Sequence, residues 1–203
     1  MLASERKNNI FRGLRSIFLL VIISIVFVNQ PVPAEIHLKS MGGWTRSTTD
    51  IWHHRPINNF TGGIGVEFWP IEYIGFELDT IVVKKGHGDP PDRPYYYDKD
   101  GTFTQISIPF LLKLRIKLGS FRIGVLEGIA ISPIIEEMDS IFHKFDYNLI
   151  AGGFIEKWFS NLAVFIDVRY DWGFNTLAID YVPSRVSFKT RTLYVMGGIK
   201  FRL

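Results

Sequence analysis

The chain contains no cysteine, so neither disulfides nor thiolate metal sites enter its stability or its chemistry. Beyond Ile17–Val28 it also lacks any apolar run approaching the roughly 20 residues that a membrane-spanning helix needs. Nor is there a surplus of one charge sign in the body of the chain. The formal charge of +3 arises within the first 34 residues, where Arg6, Lys7, Arg12 and Arg15 face one acid, Glu5. From Glu35 onward the charge is balanced, which removes any warrant for a nucleic-acid partner; that would need a clustered basic face.

Those first 34 residues have the three parts of a secretory signal. A basic segment precedes the apolar stretch Ile17–Val28, broken only by Ser24, and Val32-Pro33-Ala34 offers small residues at a cleavage site. The expected division is therefore a cleaved signal peptide over 1–34 and a single domain over 35–203. A retained helical anchor is the alternative, and the apolar stretch is short for it.

What is present from Ile36 onward is alternation. Leu162, Val164, Ile166, Val168, Tyr170 and Trp172 interleave with Ala163, Phe165, Asp167, Arg169 and Asp171, so apolar residues point one way and charges the other. Seven further stretches share the pattern: Ile36–Thr45, Phe60–Trp69, Tyr73–Val83, Thr102–Arg115, Phe121–Ile131, Phe145–Trp158 and Thr190–Leu203. Their connectors alternate long and short, with tight turns at Pro70–Glu72, Ile116–Ser120 and Ser160–Asn161 and polar loops at 46–59, 84–101, 132–144 and 173–189. The pattern predicts an all-β fold, an eight-stranded antiparallel up-and-down transmembrane β-barrel of a bacterial outer membrane. Both termini and the short turns fall on the periplasmic side and the long loops outside. A soluble lipocalin-like barrel would need the opposite faces.

Three details strain the pattern or extend it. Pro109 forfeits a ladder bond in the fourth strand and predicts a bulge. Glu127 would face lipid, so either a bulge flips the register there or the strand is misread. Trp69, Tyr73, Trp158 and Phe159 at one end, and Trp44, Tyr147, Tyr170 and Trp172 at the other, are expected to form two aromatic girdles.

The stretch Thr104-Gln105-Ile106-Ser107-Ile108-Pro109-Phe110-Leu111-Leu112-Lys113-Leu114-Arg115 resembles the Ile-Pro-Leu-Leu-Leu-Lys strand of the PorT-like family of small outer-membrane β-barrels, which share the architecture of OmpX and OmpW. Gly63–Phe68, Val82–Gly86 and Phe165–Tyr170 are similar to three further stations of that family in the same order. The resemblance implies the same fold, with Pro109 as a family feature, and it carries over no catalytic or binding residue. Such barrels commonly end on an aromatic; here Phe201 and Leu203 together are the expected signal to the barrel-assembly machinery.

The inward set comprises Glu67, Glu77, Asp79, Lys113, Arg115, Arg122, Asp146, Glu156, Asp167, Arg169 and Lys200. An eight-stranded lumen is just filled by side chains, so these residues are expected to form a salt-bridged plug, with a narrow gated ion path as the alternative. Tyr95, Tyr96 and Tyr97 sit beside Pro90, Pro91 and Pro94, a composition suited to an extracellular protein ligand or to a folded-back loop cap. Asp50 with His53 and His54, and Glu136, Glu137, Ser140 and His143, lack the spacing of a metal or catalytic motif. No cofactor and no enzymatic activity is expected. The expected role is structural or surface interaction, with outer-membrane lipid and the assembly machinery as partners; a pore for small solutes is the alternative.

Overall fold

The computed structural model describes residues 34–50, 55–88, 101–136, 144–174, 177–181 and 184–203. Among the described residues there are ten strands: β1 (Glu35–Thr49), β2 (Arg55–Trp69), β3 (Ile74–Gly88), β4 (Gly101–Leu118), β5 (Phe121–Glu136), β6 (Phe145–Phe159), β7 (Leu162–Gly173), β8 (Leu177–Tyr181), β9 (Ser184–Phe188) and β10 (Thr190–Arg202). Sequential neighbours from β1 to β7 pair antiparallel, and β10 joins β7 to β1, closing an eight-stranded barrel. The closing ladder runs without a break from His37↔Arg202 to Thr49↔Thr190. No barrel strand is left with an open edge, which is what a sheet in hydrocarbon requires.

Side-chain parity follows from the pleat. In β7 burial alternates strictly from Leu162, which is exposed, to Arg169, which is buried. Across the barrel the exposed face carries Leu38, Ile64, Leu78, Phe110, Val125, Leu149, Ile166 and Ile199, while the buried face carries the charges. A soluble barrel has these faces exchanged; this is a transmembrane β-barrel.

One end carries the tight connections. Gly119 (φ 65°) and Ser160 (φ 59°) each take the left-handed region at the first of two loop residues, the II′ pattern that matches strand twist. The chain end is sewn there too: Leu203 N–H donates to Ile36 O (3.0 Å) and Arg202 N–H to Asn161 O (2.8 Å).

The structure departs from the sequence expectations at several points. Strands run past the expected ends at Thr45, Val83 and Ile131, to Thr49, Gly88 and Glu136. The expected loop over 173–189 contains the β8–β9 hairpin. Pro109 causes no bulge: the β3–β4 register is unchanged across it, with pairing interrupted only between Leu78↔Phe110 and Ile81↔Ser107. The missing N–H costs local ladder bonds without inserting a residue. The irregularity in β4 lies instead at Thr104/Gln105 against β5.

Glu127 neither flips nor marks a misread strand. It pairs with Leu112 and Ala151 in unbroken register and is exposed on the outer face near the middle of β5. Trp69 and Trp158 are corrected as well: both are buried inside the barrel, so neither is part of an outer girdle. Parity explains it, since Trp69 shares the face of Glu67 and Trp158 that of Glu156.

Ile166→Arg places a cation on the outer face and is expected to destabilise the barrel by about 2–4 kcal/mol, whereas Glu127→Leu is expected to stabilise it by a smaller amount. Urea unfolding in lipid vesicles, followed by the mobility difference between unheated and boiled samples, measures both. A destabilised Glu127→Leu would mean that the carboxyl has a partner.

Candidate functional site

The interior is a stack of side-chain layers. From above the turn end to mid-height, a connected network starts at Glu156 and crosses the barrel. Lys200 Nζ bridges Glu156 Oε1 (2.6 Å) and Glu67 Oε1 (2.5 Å), and Lys113 Nζ bridges Glu67 Oε1 (2.7 Å) and Glu77 Oε2 (2.8 Å). Glu77 Oε1 then accepts from Lys39 Nζ (2.6 Å) and Arg169 Nη2 (2.6 Å). Arg169 continues to Asp79 through Nη1 (2.7 Å) and holds Asp167 through both Nε (3.0 Å) and Nη2 (2.5 Å). All these side chains are at most 1% exposed. Every barrel strand except β5 supplies at least one of them.

Aromatic rings line the network. Lys113 Nζ sits 3.9 Å from the Phe154 ring centroid, and Lys200 Nζ 4.7 Å from that of Phe165. Such contacts shield ammonium groups that have left water. Space comes from glycine: a Cβ on Gly65 would overlap Asp79 Oδ1 and lie 3.0 Å from Lys39 Cε. At Gly75 a Cβ would meet the Trp69 ring at 2.5 Å.

Beyond an apolar layer of Met41, Ile81, Val83, Phe165 and Met196 lies a second polar cluster toward the loop end. Lys85 Nζ donates to Asp171 Oδ2 (2.9 Å) and Asp146 Oδ2 (3.4 Å). Thr190 Oγ1 donates to Asp146 Oδ2 (3.0 Å) and Tyr194 OH to Asp171 Oδ2 (3.4 Å). With its amide nitrogen turned to the carboxylates, Asn148 reaches Asp146 Oδ2 (3.1 Å) and Asp171 Oδ1 (3.0 Å).

Of the residues singled out from the sequence, Glu67, Glu77, Asp79, Lys113, Glu156, Asp167, Arg169 and Lys200 meet in the one network. Arg115 and Arg122 stand apart with Glu35 at the turn end, and Asp146 belongs to the loop-end cluster. Phe201 and Leu203 are exposed on the outer face. Tyr95, Tyr96 and Tyr97 lie outside the described residues, as do His53, His54, Glu137, Ser140 and His143; Asp50 accepts the Lys189 N–H (2.7 Å). Sequence reasoning missed Lys39 and His37, although both alternate with Ile36 and Leu38. Lys85 escapes it because the apolar alternation of the third strand stops at Val83.

No protein-family model matches the chain, and no curated protein matches it in sequence. Solved structures do match in shape. The OprG outer membrane protein of Pseudomonas aeruginosa is 12% identical at a TM-score of 0.58, covering 84% of this chain and 96% of that one. A major outer membrane protein of Thermus thermophilus is 12% identical at 0.55, covering 85% and 100%. Neisserial surface protein A is 13% identical at 0.50, again covering 85% and 100%. The fold is that of the small outer-membrane β-barrels.

Arg169→Met leaves Asp167, Asp79 and Glu77 short of a buried cation and is expected to cost about 3–5 kcal/mol. Arg169→Met combined with Asp167→Leu should recover part of that loss, because a charge is removed on each side. Urea unfolding in vesicles compares the two; equal loss in both would show that the cation's packing, rather than its charge, is what matters.

Proposed function

We propose that this chain is an integral protein of a bacterial outer membrane whose barrel is a non-conducting, non-enzymatic anchor that presents its loops for surface interaction. The observation that carries this reading is the bonded path from Glu156 through Glu67 and Glu77 to Asp167, which crosses the interior at hydrogen-bond distances. An ion moving along the axis would have to break several charge-assisted hydrogen bonds in a desolvated setting. The outer face, apolar around the barrel, fits membrane lipid as its surroundings.

In this reading residues 1–34 are a signal removed on export, and the turn end with both barrel termini lies in the periplasm. Phe201 and Leu203, exposed at the last strand, are the contact for the barrel-assembly machinery. Tyr95, Tyr96 and Tyr97 belong to an outer loop with a protein ligand, consistent with the neisserial chain of the same fold being named a surface protein. The PorT-like resemblance of the β4 sequence supports kinship with that family of barrels.

Purified protein in a planar bilayer is expected to show little steady conductance, and Lys113→Ala is expected to produce leak events, because Glu67 and Glu77 lose the ammonium that joins them. Stable, ion-selective channels in the unaltered protein would replace the anchor reading with that of a narrow solute pore.

A further inference from the structure

At the turn end the Glu35 carboxylate is surrounded by nitrogen. Arg115 Nη2 donates to Oε2 at 2.9 Å and Arg122 Nη1 at 3.1 Å, while His37 Nε2 lies 3.2 Å from the same oxygen. Arg202 Nη1 is 3.6 Å from Oε1. The guanidinium planes are held in advance: Arg115 lies 3.7 Å above the Trp69 ring centroid, and Arg122 and Arg202 lie 4.3 and 4.7 Å from that of Trp158. Both indoles are themselves tied, Trp69 Nε1 to Glu67 Oε2 (3.1 Å) and Trp158 Nε1 to Glu156 Oε2 (2.9 Å).

Donors here outnumber acceptors. Arg115 is 3% exposed; its Nε donates to Glu72 O (2.8 Å), and its Nη1 has no hydrogen-bond partner. Arg202 Nε is buried without one as well. Three guanidinium groups converge on one carboxylate, most of them on one of its oxygens, so the cluster has capacity for more acceptor atoms than Glu35 brings.

Glu35 is also loosely anchored. It is the first residue of β1 and pairs only with Trp69 of β2, because the β1–β10 ladder begins at His37. Beyond the Leu203 N–H to Ile36 O bond Glu35 has a ladder partner on one side only, so this terminal residue moves at lower cost than the barrel body.

We propose that the Arg115–Arg122–Arg202 cluster is a binding site for a small carboxylate ligand entering from the turn end, with Glu35 as its resident, displaceable occupant. The ligand class follows from the group already seated there and from the planar forks that hold it. A polycarboxylate supplies the further oxygens that Arg115 Nη1 and Arg202 Nε lack. The side chains point into the barrel, so the wall separates the site from lipid and the ligand comes from the aqueous phase. Occupancy of this site does not depend on whether the lumen conducts.

Isothermal titration of the detergent-solubilised barrel with citrate at constant ionic strength tests it. Glu35→Ala is expected to bind citrate at least about tenfold more tightly than the unaltered protein, since the internal competitor is gone. Glu35→Gln should do the same and serves if the alanine variant folds poorly. Adding Arg115→Gln to either should lose at least about tenfold, with Trp69 and Trp158 fluorescence reporting occupancy. Equal affinity or equal absence of binding in the unaltered protein and the Glu35 variants would overturn the proposal. So would unchanged binding after Arg115→Gln.

Discussion

Closure of β10 onto β1 is the constraint on which the rest of this molecule depends. The unbroken ladder from His37↔Arg202 to Thr49↔Thr190 pairs backbone groups that would otherwise face hydrocarbon. Closure also settles the side chains, because the pleat leaves each residue only two directions. Once Ile36, Leu38, Leu162 and Ile166 face outward, Lys39, Asp167 and Arg169 have nowhere to go but the interior, and an eight-stranded interior is narrow enough to make them meet.

The charges that meet there do not stabilise the protein in proportion to their number. Removing each from water costs several kcal/mol, and mutual attraction repays that only where geometry and hydrogen bonding are good. Here they are good: Glu77 accepts from Lys39, Lys113 and Arg169, one cation from each of three strands. Glycines at 65 and 75 leave room for it. The network is better understood as fixing one register, since a one-residue slip of any of these strands would turn its charge to the lipid.

Much of this was legible in the sequence because a period of two leaves little choice. The eight barrel strands, their tight turns and the faces of Glu67, Glu77, Lys113, Asp167 and Arg169 follow from parity and from where the breaks fall. What parity cannot supply is the reach of a strand, and Lys85 and the β8–β9 hairpin lie where polar sequence continues as paired backbone. Trp69 and Trp158 show a different failure. A preference of aromatic side chains for interfaces was set above parity, when the two residues in fact serve as floors for Arg115, Arg122 and Arg202. At Glu127 and Pro109 the expectation was that local penalties would bend the chain. Thirteen continuous β5–β6 pairs, from Phe121↔Lys157 to Pro133↔Phe145, hold the register at Glu127 against its penalty.

Because the network draws on every barrel strand but β5, no single hairpin contains it. Adjacent strands such as β2 and β3 bring Glu67 opposite Glu77, two like charges, and it takes Lys113 from β4 to join them. A partly assembled sheet therefore holds ionised groups still in need of water, and such a sheet is poorly suited to settling in any bilayer. The ionic filling thus favours the finished barrel over any fragment of it: its charges find all their partners only when the seven strands that supply them stand in their places.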